Sequence, residues 1–383
     1  MQLALAAGIP FDRVTDDLVE RRLYSRDLAA VPALMTRPFF RTVPDAVIRP
    51  AGAEQVAELL RRAAQERTPV TPRAAASTGY LNAVPVRGGV VLDLNDLRGV
   101  IELDAARQTV RVLPATTWCQ LDDALRLKGF AVKSYPSSAV SATVGGWVST
   151  QGHGIGSLVH GALGDQLAGL QVVLPDGEQR AVRRDTDPPL DWFVAAEGTL
   201  GVVTEVELSV RPRPAVESHH LFAFGDLEAL GSSVTSLARS EPRPFTLLFA
   251  DAGYLRLLVR AGFHVPIDLP DDPLVEGGPS ILLVSLQGEP AEVRRGRDTL
   301  AGLPERELPP DLALEEWSQR LYHLRAKRAG PSLLAAEQWL PLGALPGYLT
   351  ALRGLAGRHR LPIGSYGVAV TPGLALMWNT WLP

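Results

Sequence analysis

Residues 136–165 read PSSAVSATVGGWVSTQGHGIGSLVHGALGD, with seven glycines, many small hydroxyl residues, two histidines and no charge before Asp165. So little charge predicts burial, yet so much glycine and hydroxyl makes a poor ordinary strand or helix, and the backbone N–H groups then need another partner. Runs of free N–H groups form nests for anions, and glycine lets the chain approach oxygens closely. The segment therefore predicts a phosphate-bearing ligand, with a tightly packed turn region as the plainer alternative. A second group is cationic and aromatic: Trp317, Arg320, Tyr322, His323, Arg325 and Lys327 crowd into residues 315–328. Guanidinium groups clamp carboxylates through paired hydrogen bonds, which suits a small organic acid, and His323 or Tyr322 has the chemistry of a general base. The same block also reads as the solvated face of a helix.

The elements that must position these residues follow from periodicity. Ala53 to Glu66 places Val56, Leu59, Leu60, Ala63 and Ala64 at helical spacing, and a short strand at Val70 follows. Apolar runs at 90–94, 100–103 and 109–113 predict strands of a mixed or antiparallel sheet. Thr116 or Thr117 caps a helix that ends near Gly129. Residues 170–174 and 179–182 form a hairpin about Pro175-Asp176-Gly177, and Gly201 to Val210 alternates with period two. That strand stops at Arg211-Pro212-Arg213-Pro214, where the prolines cannot donate to a ladder, so a domain boundary is placed there. Residues 1–41 read as an N-terminal arm, 42–214 as the first domain and 215–383 as the second.

Composition bounds the function. A chain of 383 residues exceeds one ordinary core and predicts two domains of about 200 residues each. The net charge of −4 argues against a nucleic-acid surface. Arg outnumbers Lys because only Lys128, Lys133 and Lys327 are present, which says little about function. Cys119 is the single cysteine, so neither an intrachain disulfide nor a cysteine-ligated iron–sulfur cluster can form. It is expected as a core residue of an amphipathic helix. No transmembrane segment is expected, the apolar start lacks a basic n-region, and the expected location is cytoplasmic. His219 and His220 are adjacent and so cannot share one face of a strand. His264, His323 and His359 are isolated, and no metal site is expected.

Three blocks, in order, carry a family resemblance. They are TPRAAASTGYLNAVP at 71–85 followed by RGGVVLDL; SATVGGWVST at 141–150 with GIGSLVHG at 154–161; and AEGTLGVVTE at 196–205 before RPRP. Over roughly residues 42–214 the chain resembles the FAD-linked oxidases related to p-cresol methylhydroxylase, vanillyl-alcohol oxidase, glycolate oxidase and D-lactate dehydrogenase. The C-terminal half matches less sharply, at 315–328 and 341–349. The resemblance implies an α+β fold: a two-lobed PCMH-type FAD-binding domain, with FAD extended between its lobes, followed by an α+β cap domain over the substrate. It implies that Arg73, Ala74, Ala75, Ala76, Ser77 and Thr78, with Thr143, Val144, Gly145 and Gly146, face the pyrophosphate. Ser149, Thr150, Gly156 and Ser157 would line the flavin or ribityl side. Glu197, Gly198, Gly201, Val202 and Val203 would add backbone contacts, and Pro136 and Ser137 belong to the same cofactor-binding set.

The departures from the family pattern also matter. Ala74 and Ala76 stand where the family has glycines, and Leu81 and Asn82 replace residues that are often glycine. If such a position needs a positive φ, alanine costs about 1 kcal/mol. The customary covalent attachment positions lack His and Cys, so FAD is expected to be non-covalent, with His153 and His160 as structural residues. No segment resembling the family's His-rich C-terminal return follows. Three functions remain open. One is an FAD-dependent dehydrogenase or oxidase of a small hydroxy acid or alcohol, with Arg320, Tyr322, His323 and Arg325 at the substrate. Another is the flavin subunit of a glycolate-oxidase-like complex that passes electrons to an iron–sulfur partner, and the third is a non-catalytic fold relative.

Overall fold

The computed structural model describes residues 9–10, 13–29, 39–269, 278–330 and 333–382. Parts of the expected N-terminal arm, including residues 1–8 and 30–38, lie outside them. The chain divides into two compact units: Met1–Lys133, Ser138–Gly152 and Leu163–Pro212 in the first, and Ser134–Ser137, His153–Ala162 and Arg213–Pro383 in the second. The last passage between units falls within Arg211–Pro214. The two short excursions at 134–137 and 153–162 have no signature in local periodicity.

In the first unit, β1 (Val14–Thr15), α1 (Leu18–Leu23), β2 (Ala46–Ile48), α2 (Ala53–Glu66), β3 (Val70–Arg73) and β4 (Val90–Asp93) build a four-stranded sheet in the order β1-β2-β4-β3. Strands β2 and β3 run parallel to β4, and β1 is antiparallel to β2. Helix α2 buries Val56, Leu59, Leu60 and Ala63 in one cluster with Ile48, Val90 and Leu92, so its apolar stripe holds it to the sheet. A second layer contains β5 (Val100–Asp104), β6 (Thr109–Val112), α3 (Trp118–Arg126), β7 (Phe130–Ala131), α4 (Val144–Thr150), β8 (Leu167–Val173), β9 (Gln179–Val182), β10 (Val202–Ser209) and β11 (Arg211–Pro212). Its five-stranded antiparallel sheet has the order β5-β6-β10-β8-β9, while β7 pairs with β11. Thr117 opens α3 with a reciprocal capping box to Gln120. The glycine-rich run does form a helix over α4, contrary to its propensity. Tertiary packing decides here, because Val144, Gly145, Trp147 and Val148 are all buried.

The second unit contains β12 (Val216–Phe224), α5 (Leu227–Ala238), β13 (Thr246–Ala250), α6 (Ala252–Arg260), β14 (Ser280–Gly288), α7 (Pro290–Leu300), α8 (Pro310–Gln319), β15 (Leu334–Pro341), α9 (Leu345–His359), β16 (Ile363–Ala369) and β17 (Leu374–Trp381). Its antiparallel sheet runs β12-β14-β13-β16-β17-β15. Alternation along each strand produces two faces. Phe222, Phe249, Leu282 and Val284 pack with α5, α7 and α9, whereas Leu221, Leu248, Leu283 and Tyr366 pack with α6, α8 and Ala326. Ala326 lies in a 3-10 segment, His323–Ala329.

Candidate functional site

The loop after β3 is short of partners. At its base Arg73, the last residue of β3, donates from Nη1 to the carbonyl oxygens of Tyr24, Arg26 and Ala83 at 3.2, 2.9 and 3.2 Å, and the guanidinium lies over the Tyr24 ring. Burial lowers its pKa below the ordinary value. Arg73 therefore acts as a strut that fixes the loop's base. Asn95 holds the Ala74 carbonyl at 3.3 Å. Beyond it, the backbone N–H groups of Ala75, Ala76, Ser77, Thr78 and Gly79 find no acceptor among the described residues. The Thr78 hydroxyl is buried and has no hydrogen-bond partner among the described residues. Ala76 holds φ at 49° and Leu81 at 66°, both left-handed, so two of the glycine replacements do carry backbone strain. Five unpaired N–H groups beside an orphaned hydroxyl fit an oxygen-rich anionic group such as a pyrophosphate.

Helix α4 is arranged differently. Thr143 caps it by accepting from the Gly146 N–H, while the Val144 and Gly145 N–H groups donate to the carbonyls of Thr116 and Pro114 at 2.9 and 2.8 Å. The donors expected to point at phosphate are thus already paired within the protein. The Ser149 and Thr150 hydroxyls donate back to the Gly145 and Gly146 carbonyls. At the other end, Val148 and Ser149 carbonyls accept from Ala195 and Glu197 N–H groups at 3.1 and 2.9 Å. Ala195, Glu197 and Gly198 have φ of 61°, 51° and 75°, a left-handed run latched onto α4. Gly201 fits against Val172 and Val173, and Val202 and Val203 are buried in β10.

Pro136, Ser137, Gly156 and Ser157 fall in the second unit. Pro136 and Ser137 are buried, Gly156 has φ of 90°, and the buried Ser157 hydroxyl accepts from the Gly154 N–H at 3.0 Å. His153 stands edge-on to Trp339 and His160 to Phe245.

The cationic block splits into three surroundings. Arg325 is nearly buried, pairs with Glu316 at 3.4 Å and donates to the Gln319 carbonyl. Burial raises the Glu316 pKa against the pull of Arg325. Tyr322 is about half exposed. His323 stacks on Tyr366 and packs against Trp378; burial, then Arg325, lowers its pKa from 6.5 to about 4. Arg320 has its guanidinium carbon 4.0 Å from the Trp317 ring centre, donates from Nε to the Tyr135 hydroxyl at 3.0 Å, and donates from Nη1 to the Trp317 carbonyl. Its Nη2 has no acceptor and its charge no carboxylate among the described residues.

His219 and Tyr135 join Arg320 without having been expected. The His219 ring stacks on Trp317 with centroids 4.3 Å apart, and burial, then the Arg320 charge, lowers its pKa to about 4. His220 points to the other face and pairs with Glu307 and Ser218. The adjacency of the two histidines did foretell opposite faces, but only strand pairing shows which of them meets Trp317. No group of three His, Cys, Asp or Glu able to hold a metal occurs among the described residues. No helix among them is long and apolar enough to cross a membrane.

Residues 44–183 match a family described as an FAD binding domain. The chain is 24% identical over 349 residues to glycolate oxidase subunit GlcD of Bacillus subtilis, covering 87% of this chain and 72% of that protein. It is 30% identical to an FAD-linked oxidoreductase of Mycobacterium tuberculosis, covering 65% of this chain and 55% of the relative. With Escherichia coli GlcD it shares 27% identity over 85% of this chain and 66% of that one. The chain thus spans less than two thirds of the last two. Solved structures of alkyldihydroxyacetonephosphate synthase and p-cresol methylhydroxylase share its fold, with TM-scores of 0.81 and 0.80, identities of 19% and 17%, and coverage of 99% of this chain against 77% and 81% of theirs. The unpaired loop donors lie inside the matched domain, which makes FAD the cofactor, and the chain is similar in sequence to FAD-linked oxidases and dehydrogenases and shares its fold with the two solved flavoproteins.

Proposed function

We propose that the chain, with FAD as its cofactor, oxidises a small hydroxy acid or alcohol. The observation that carries the acid in this reading is Arg320, a half-buried guanidinium with no carboxylate partner among the described residues and one free nitrogen. A cation removed from water and left unpaired calls for an anion, and a substrate carboxylate supplies one. Trp317 and Tyr135 hold the guanidinium plane, so the anion is oriented as well as attracted.

The cofactor would be held by Ala75, Ala76, Ser77, Thr78 and Gly79 at its phosphates, with Thr143–Gly146, Ser149, Thr150 and Glu197–Val203 shaping its bed. Bound flavin supplies the hydride acceptor. His219 feels the Arg320 charge and is neutral near pH 7, so its imidazole can accept the substrate hydroxyl proton. A carboxylate on Arg320 would offset that charge and raise the basicity of His219. His323 is the second candidate base, under the influence of Arg325 rather than Arg320. Tyr322, which is half exposed, is assigned to the rim.

The test is anaerobic mixing of the FAD-loaded chain with glycolate, lactate and other 2-hydroxy acids. Bleaching of the flavin absorbance supports the reading, and failure to bleach with every hydroxy acid or alcohol overturns it. The names of two relatives, which are glycolate oxidase subunits, favour a second reading: a flavin subunit that hands electrons to an iron–sulfur partner. Bleaching without turnover until such a partner is added would select it. A cytoplasmic location belongs to both readings, and cell fractionation checks it.

A further inference from the structure

Residues 20–28, between β1 and β2, reach the loop after β3 at three points within the first unit. The Tyr24 and Arg26 carbonyls receive the Arg73 side chain. The Leu28 N–H donates to the Thr78 carbonyl at 2.9 Å. The third tie runs through side chains, beginning with the Tyr24 hydroxyl, which donates to Asp93 Oδ2 at 2.7 Å. Asp93 Oδ1 accepts from the Asn95 backbone N–H and from its Nδ2, at 3.0 and 2.8 Å, and the same Nδ2 reaches the Ala74 carbonyl at 3.3 Å. Asp93 is 3% exposed, and Arg49 completes its surroundings, with Nε 3.4 Å from Oδ2 and Nη2 donating to the Tyr24 hydroxyl at 3.3 Å. Burial, then the bond to Asp93, raises the Tyr24 pKa, so the hydroxyl keeps its proton and remains the donor. A buried carboxylate bonded on both oxygens fixes its neighbours closely.

The two tied carbonyls, Ala74 and Thr78, bracket the loop's unpaired donors. In a planar trans peptide the C=O and the N–H point in opposite directions, so holding the Ala74 carbonyl on one side turns the Ala75 N–H to the other. Holding the Thr78 carbonyl does the same for the Gly79 N–H. These are the first and last of the N–H groups from Ala75 to Gly79 that find no acceptor among the described residues. The segment that orients them has few apolar anchors of its own. Helix α1 buries none of its 6 residues, and Leu18, Val19 and Leu23 are exposed. Its ties are polar, from Glu20 to Arg49 and from Arg21 Nε to the Pro44 carbonyl at 2.6 Å. A segment with so little buried apolar surface opens locally before the rest of the fold does.

We infer that residues 20–28 are a clamp linked to the cofactor: docked through Tyr24 and Leu28 they orient the loop donors for the FAD pyrophosphate, and bound FAD in turn keeps them docked. This rests on the reading of Ala75–Gly79 as the phosphate holder and deepens it by naming what positions that loop. Tyr24 is a positioning residue, because it acts on the loop through Asp93 and Asn95. The coupling is reciprocal, so whatever factor docking adds to FAD affinity, FAD adds to docking. Tyr24→Phe removes the hydroxyl and keeps the ring under Arg73.

The experiment uses the full chain, titrated with FAD after removal of the cofactor and read by flavin fluorescence well below the unfolding midpoint. Tyr24→Phe should weaken FAD binding about three- to thirtyfold. A lowered unfolding midpoint with unchanged FAD affinity would make the tie purely structural and overturn the clamp. The reverse direction is read on the unsubstituted protein by trypsin, since Arg22 and Arg26 lie exposed in the segment and Arg107 lies exposed in the β5–β6 turn. Saturating FAD should slow cleavage after Arg22 and Arg26 about three- to thirtyfold and leave the rate after Arg107 unchanged, and Tyr24→Phe should shrink that protection. Cleavage after Arg22 and Arg26 indifferent to FAD, or equal slowing at Arg107, would overturn the coupling. Thr78→Val separates the clamp from the reading beneath it. If Thr78→Val weakens FAD binding and Tyr24→Phe does not, the loop stands as phosphate holder and the clamp falls, whereas FAD affinity unmoved in both variants overturns both.

Discussion

Gly145 sits so close to Pro114 that a Cβ added to the glycine would stand 2.6 Å from the proline's own Cβ. The same pair is tied by the Gly145 N–H donating to the Pro114 carbonyl at 2.8 Å. This glycine serves the seating of α4 on the preceding loop. Gly145→Ala should therefore destabilise the protein by about 1–3 kcal/mol through overpacking. Gly146→Ala meets only the Thr143 hydroxyl, at 2.9 Å, and should cost less, about 1 kcal/mol, because displacing that hydroxyl gives up only the cap of α4 and no backbone packing. Unfolding midpoints of the two variants check the order, and a Gly146 variant as unstable as the Gly145 variant would refute it.

At Ala76 the strain lies in the backbone itself. Its φ of 49° belongs to the left-handed region, which costs an alanine roughly 1 kcal/mol relative to glycine. The flanking N–H groups are the unpaired ones, so relaxing this residue should ease their alignment on the cofactor. Ala76→Gly should tighten FAD binding by about threefold to tenfold. Titration of apoprotein with FAD, read by flavin fluorescence, measures it. An unchanged or weaker affinity would show that the entropy cost of glycine outweighs the relief.

Much of the first unit is legible in the sequence because its signals are local. The stripe from Val56 to Ala63, the Thr117 cap and the alternation along β10 all follow from periods of 3.6 and 2, and all three appear in the structure. Helix α4 was not legible, since its stability comes from Trp147 packing edge-on against Trp118 and from Gly145 on Pro114, neither of which propensity registers. The cluster about Arg320 is half legible. Arg320 ends the helix that carries Trp317 three residues before it, which spacing reveals, whereas His219 and Tyr135 reach them from about 100 and 185 residues away by strand pairing and chain excursion.

FAD should be held without a covalent bond. Cys119, the only cysteine, lies on α3, and the ring of His153 is packed edge-on to Trp339. Acid precipitation should therefore release the flavin into the supernatant. Colour that stays with the pelleted protein would contradict this.

Two imidazoles make stability sensitive to acid. His219 and His323 each have a folded pKa of about 4 against an ordinary 6.5, with burial as the main cause. Below 6.5 the unfolded chain takes up protons that the folded chain refuses, so their contribution is fully present above 6.5 and is lost as pH falls toward 4. The unfolding midpoint should drop between about pH 7 and pH 5, and His323→Phe, which keeps the stack on Tyr366 and Trp378, should drop less steeply. Parallel curves for the two proteins would remove His323 as a source.

Arg320 and Arg325 lie five residues apart in different surroundings, and the proposed function gives them opposite jobs. Arg325 neutralises Glu316 in a nearly buried pair, so Arg325→Ala strands a buried carboxyl and should destabilise the fold by about 3 kcal/mol or more. Arg320 has no carboxylate to strand among the described residues, so Arg320→Ala should leave the unfolding midpoint and the FAD content nearly unchanged. Its cost should fall on the substrate: loss of a charge-assisted contact of a few kcal/mol predicts a drop in kcat/KM of about ten- to a few hundred-fold. Arg320→Lys should recover part of this, because the charge returns without the planar fork that Trp317 supports. Kinetics, flavin content and unfolding midpoints measured together on the three variants decide the matter. Flavin loss in step with activity at Arg320, or a fold unaffected by Arg325→Ala, would reverse the assignment.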